Sequence, residues 1–204
     1  MKKIFGLILV LLITVSGYTF WKNQGALITT PPAPQQSSPV AKDAGIVLRH
    51  DGLEILAFGT PEKEVIETLT SVLGEPTRDT GWVDSFSTYG LCPGEKMRGV
   101  EWGSLHVFIG DTREYGNKTF FGYEYVDPTG LTPPSFMTDQ KITLGASKEA
   151  IVKAYPNATF GEWLPGQTGT TFVRGPEGTS GQYLGGTLEN NKLFWIGGGV
   201  LCGE

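Results

Sequence analysis

Two cysteines and two histidines are all that this 204-residue chain has of the side chains that most often hold zinc or act as nucleophile and base. Neither His50 nor His106 lies near Cys92 or Cys202 in the sequence, so no metal-ligand spacing forms, and the expected metal and cofactor sets are both empty. No glycine-rich loop leads from a strand into a helix, which leaves out the phosphate-cradling motifs. Basic residues are scarce as well. After residue 24 there are 13 Lys and Arg against 21 Asp and Glu, and such a surface repels phosphate backbones, so nucleic acid is not an expected partner. No cysteine stands near residue 20, which rules out a lipid-anchored N-terminus of the bacterial lipoprotein kind.

What is present begins with a leader. Lys2 and Lys3 precede the uncharged run IFGLILVLLITV, with Ser16 and Gly17 small enough for a cleavage site, as in a secretory signal peptide. The uncharged stretch continues to Trp21, so residues 1–21 equally suit a retained membrane anchor with aromatic residues at the outer interface. Either reading carries the rest of the chain out of the cytoplasm, secreted or tethered in a cell envelope. Residues 22–44, rich in Pro, Gln, Ser and Thr, have too little apolar content for a core and read as a disordered tether. Residues 45–204 then form one globular domain of ordinary size.

The informative pattern lies inside that domain. FGTPEKEVIETLTSVLGEP and LGASKEAIVKAYP superpose with Gly59 on Gly145. Val65, Ile66 and Leu69 then match Ile151, Val152 and Tyr155, one stripe of an amphipathic helix in each case. Thr60 and Ser147 are the expected caps, with Pro61 opening the first helix; Gly74 and Pro156 are the expected stops. Three strand-like segments follow each helix: MRGVEW, LHVFIG and TFFGYEYV, then TTFVR, QYLGGTL and KLFWIG. The fold expected is α+β: two tandem helix-plus-three-strand repeats, about 53–126 and 136–200, forming an antiparallel sheet with the helices on one face.

That order of elements resembles the tandem-repeat fold of the β-lactamase inhibitory protein and, for each half, the small lipoprotein of the outer-membrane β-barrel assembly machine. The resemblance rests on LGASKEAIVKAYP and FGTPEKEVIETLTSVLGEP, motifs that specify a helix start and no chemistry. It departs in the cysteines, because the inhibitory protein closes a disulfide within each repeat. The GLCPG loop and the LCGE ending are also similar to those of uncharacterised exported proteins of high-GC Gram-positive bacteria, a resemblance that carries no activity.

In an oxidising compartment Cys92 and Cys202 would pair. Closing about 110 residues restricts the unfolded chain by on the order of 4–5 kcal/mol in the entropy treatment. A reactive thiol is the competing reading, with nothing in the sequence to activate it. No catalytic residue emerges. His106 sits in a strand, GTSGQ misses the nucleophile-elbow pattern, and Asp79, Asp84, Asp111 and Asp127 lack a calcium-loop register. The binding candidates are aromatic. Strict alternation puts Phe121, Tyr123 and Tyr125 on one face, with Phe120, Glu124 and Val126 on the other; it also turns Phe194 and Ile196 inward and Trp195 outward. Tyr123, Tyr125 and Trp195 are core residues or hot spots on an open face. The function expected is a non-catalytic exported or membrane-tethered domain that binds a protein or cell-wall partner. The alternative is an extracytoplasmic hydrolase, for which Asp84, His106 and a serine would have to share a pocket.

Overall fold

A computed structural model describes residues 45–89, 94–126, 136–165, 167–174 and 182–200. Residues 1–44, where a leader and a tether are expected, and both cysteines fall outside these residues. Among the described residues no helix is long and apolar enough to cross a membrane.

The chain begins with three short strands, β1 (Val47–Arg49), β2 (Gly52–Leu53) and β3 (Leu56–Ala57), followed by helix α1 (Glu62–Leu73). Strand β4 (Arg78–Asp84) and a short helix α2 (Ser85–Tyr89) lead to the strands β5 (Lys96–Trp102), β6 (Leu105–Thr112) and β7 (Gly116–Val126). After β8 (Met137–Thr138) come helix α3 (Lys148–Ala154) and the strands β9 (Thr159–Leu164), β10 (Gln167–Arg174), β11 (Tyr183–Glu189) and β12 (Lys192–Gly199).

Eight of these strands form one antiparallel sheet in the order β4-β5-β6-β7-β12-β11-β10-β9. The pairing of β7 with β12 joins its two meanders at the centre. A smaller sheet, β3-β2-β1-β8, contains the parallel pair β1 and β8. Strands account for 54% of the structure and helices for 17%, so the protein is mostly β. This corrects the expected α+β fold of two helix-plus-three-strand repeats. The edge strands β4 and β9 carry no apolar alternation, and β1, β2, β3 and β8 are two or three residues long, so neither group leaves the periodic signal that marks a half-buried strand.

Two turns form as their residues dictate. Gly103 takes φ 62° in the two-residue turn between β5 and β6, and Asn190 and Asn191 take φ 49° and 60° between β11 and β12, the backbone of a type I′ hairpin. The helix starts differ from one another. Ser147 accepts the Ala150 N–H at 3.3 Å as a cap should, whereas the Thr60 hydroxyl donates to the Ala57 carbonyl at 2.8 Å and Pro61 occupies the cap position of α1.

The core lies on one face of the large sheet. Val65, Leu69 and Leu73 of α1 and Ile151 of α3 pack there with Leu48, Leu53 and Leu56 of the small sheet against Val100, Val107, Tyr123 and Ile196. Tyr123 fastens the layers, its hydroxyl donating to the Arg49 carbonyl at 2.8 Å. The Tyr125 ring meets Phe136 edge-on with centroids 5.1 Å apart. At the β4 edge, Arg98 binds Asp79 through two of its nitrogens and donates to Glu62 at 2.5 Å, while the Trp82 indole N–H donates to the same Glu62 oxygen at 3.1 Å. One guanidinium thus ties the first turn of α1 to two neighbouring strands.

Candidate functional site

Two β-bulges decide which side chains reach the other face of the sheet. Between β6 and β7, Phe108 pairs with Gly122 but Ile109 pairs with Phe120, which leaves Phe121 as an extra residue. Phe120 therefore joins the core beside Phe58, and Phe121 leaves it to stack with Phe108, centroids 6.3 Å apart. Between β11 and β12, Thr187 pairs with Trp195 but Leu188 pairs with Leu193, so Phe194 is extra. Leu193 and Ile196 are buried, and Phe194 and Trp195 are both partly exposed. Strict alternation had Phe194 inside and Phe121 on the same face as Tyr123 and Tyr125; each bulge reverses one of those assignments.

Cross-strand partners share a face, so the registers Arg78↔Glu101, Glu101↔His106, His106↔Glu124 and Glu124↔Gly197 lay a row of side chains across the outer face of five strands. Gly197 pairs in turn with Gly185. Neither glycine is bare. A Cβ on Gly197 would fall 2.4 Å from two ring carbons of Trp195, and one on Gly185 would fall 2.1 Å from the Tyr183 hydroxyl. The paired glycines are the floor on which Trp195 and the tip of Tyr183 rest.

Glu124 lies beside the indole, close enough for Trp195 to act on its pKa. Burial raises the Glu124 pKa above the usual carboxylate range, and the neighbouring indole offsets that only in part. Burial lowers the pKa of His106, with Glu101 opposing and Arg78 reinforcing the shift. Arg78 donates to Glu101 at 3.1 Å, which leaves that end of the row neutral. The result is an aromatic plate bordered by the Glu124 carboxyl group, its pKa raised, and the His106 imidazole, its pKa lowered.

A second concave feature, of about 650 Å³, lies where the turn after β8, the end of α3 and the strands β9 and β10 meet. Asp139 accepts the Tyr155 hydroxyl there at 2.7 Å, and Tyr155 stacks on Phe172 with centroids 5.2 Å apart and planes 8° from parallel.

Of the sequence-predicted binding residues, the structure buries Tyr123 and Tyr125, at 1% and 2% exposure, and so removes both from any accessible face. Trp195 alone remains at the surface, and Glu124, His106 and Tyr183 join it. Those three carried no sequence signal beyond strand register. Cys92 and Cys202 lie outside the described residues. Asp84 accepts the Ser87 N–H and pairs in register with Lys96, whereas His106 sits between Glu101 and Glu124, so the two residues expected of a hydrolase occupy different neighbourhoods. Among the described residues no group of three His, Cys, Asp or Glu side chains is placed to hold a metal ion.

No family model, curated protein or solved structure matches the chain, so the resemblance to the inhibitory-protein and assembly-lipoprotein repeats has no relative beside it.

Proposed function

We propose that the chain is a non-catalytic binding domain that works outside the cytoplasm and engages a protein partner of the cell envelope through the outer face of its large sheet. In this reading residues 1–21 export or anchor the chain, residues 22–44 give it reach, and residues 45–204 do the binding. The observation that carries the proposal is Trp195, a large aromatic side chain kept flat on the sheet by Gly197 beneath it and Glu124 beside it. An indole fixed before binding loses little further freedom on complex formation, and Trp is the residue type most enriched among interface hot spots. Val126, which pairs with Trp195 across the strands, and Phe194 extend the apolar patch, while His106 and Glu124 form a polar rim.

The test is retention of the chain in the envelope fraction of its host when the leader is replaced by a cleavable signal. Trp195→Ala should release it to the soluble extracytoplasmic fraction, with the far-ultraviolet spectrum and unfolding midpoint close to those of the parent. Equal retention of the two would remove Trp195 from the interface.

A further inference from the structure

We infer that the cleft between the β8 turn and the β9–β10 edge is a second binding site, separate from the Trp195 patch, and that its ligand is a short neutral oligosaccharide. At about 650 Å³ it falls within the ~300–1,000 Å³ range of small-molecule clefts and has room for about two or three sugar rings. Its lining fits that class in three respects.

Charge comes first. Among the described residues Asp139 is the only acidic or basic side chain in the lining and no Lys or Arg joins it there, so phosphorylated, sulfated or uronic ligands would find a carboxyl group and no cation to bind. Hydrogen-bonding character comes next. Asn157 presents an amide donor and acceptor, Gln140 its amide oxygen and the N–H left beside the one that donates to Asp139 Oδ2 at 3.4 Å, and Thr159 a hydroxyl. A polyamine or quaternary ammonium offers donors at most, and would leave the amide N–H groups without acceptors. A sugar hydroxyl donates and accepts at once, and pairs with all of them.

The third respect is rigidity. Tyr155 is stacked on Phe172 and bonded to Asp139, whose Oδ1 also accepts the Gln140 backbone N–H at 2.9 Å. The carboxylate is therefore oriented before a ligand arrives, and its remaining lone pairs can take hydroxyl hydrogens. Tyr155 and Phe172, 7% and 4% exposed, are the buried support beneath these polar groups, so the hydrogen-bonding lining is held on a packed base.

The experiment is an amide-resonance titration of the full chain with three neutral probes, maltotriose, cellotriose and chitotriose, and with spermidine as the cationic comparison. At least one trisaccharide should give saturable shifts confined to residues around 139–140, 155–159 and 171–173. Asp139→Asn and Asn157→Ala, both at exposed positions, should each weaken that binding about tenfold while leaving the thermal midpoint near the parental value. Trp195→Ala should leave it unchanged, which keeps this site distinct from the sheet-face proposal. Failure of all three trisaccharides to bind would overturn the inference, as would shifts indifferent to Asp139→Asn and Asn157→Ala. Tighter binding of spermidine than of any trisaccharide would overturn it too.

Discussion

Trp195 lies across Gly197, two residues further along the same strand, so closely that any side chain at Gly197 would occupy the place of the indole ring. Gly197→Ala should therefore lift the ring and move it away from Glu124, at a cost of about 1–3 kcal/mol as an overpacking substitution. The Trp195 indole N–H resonance should move with it. An unmoved resonance would place the ring elsewhere.

The same strand supplies an internal comparison. Leu193, 1% exposed, should cost about 2–5 kcal/mol when replaced by alanine, whereas Trp195→Ala should cost less because its ring covers sheet surface and fills no core volume. Phe194→Ala should behave like Trp195→Ala, since the bulge puts both outside the core. Urea unfolding of the three variants ranks them, and equal losses for Leu193→Ala and Trp195→Ala would show that both faces are sealed.

The bulges also mark the limit of what could be read in advance. The stripes Val65, Ile66, Leu69 and Ile151, Val152, Tyr155 placed α1 and α3 within a residue or two, because helical period is a local property. The turn at Gly103 is equally local, since a two-residue hairpin turn needs a residue that accepts positive φ. Phe121 and Phe194 were not legible in this way. Whether a strand carries an extra residue depends on its partner, and alternation applied to one strand alone misassigns every position beyond the bulge. The candidate site fared accordingly: Trp195 was visible as an aromatic, but its association with Glu124, His106 and Gly197 comes from register alone. The cleft at Asp139 and Tyr155 joins segments distant in sequence, with nothing local to announce it.

Two shifted groups on the outer face predict opposite effects of pH. Glu124 has a raised folded-state pKa, so its contribution is fully favourable below the ordinary value of 4.5 and is lost as pH rises through the folded pKa. Glu124→Gln should raise the thermal midpoint at pH 7 and flatten its decline above pH 5. His106 is shifted down, so its contribution is present above 6.5 and is lost as pH falls towards the folded value. His106→Gln should accordingly reduce the loss of stability just below pH 6.5. Midpoints measured from pH 4 to 8 for the parent and both variants check the two signs.

Arg98 should matter more than a surface cation. Its side chain is 23% exposed and is shared by Asp79 and Glu62, and Arg98→Met should cost about 1–3 kcal/mol, between the ranges for exposed and buried pairs. Asp79, held below its ordinary 3.8 chiefly by the Arg98 hydrogen bond, stabilises the fold above that value and ceases to as pH falls through its depressed pKa. Acid unfolding should therefore be less steep in Arg98→Met than in the parent. Identical acid limbs would detach the pair from stability.

Compartment predicts the state of the thiols. In the exported protein, titration under denaturing conditions should find none free, and Cys92→Ser, Cys202→Ser and the double variant should lose similar stability. Two titratable thiols per chain would contradict both the pairing and the oxidising location.

The central claim, a protein-binding face centred on Trp195, is tested most directly by photo-crosslinking in the host from single sites: position 195, position 126 beside it, and position 152 on the exposed side of α3 as the control. The account predicts one shared protein adduct from 195 and 126 and none from 152. Adducts from 152 alone, or no adduct from either sheet position, would contradict it.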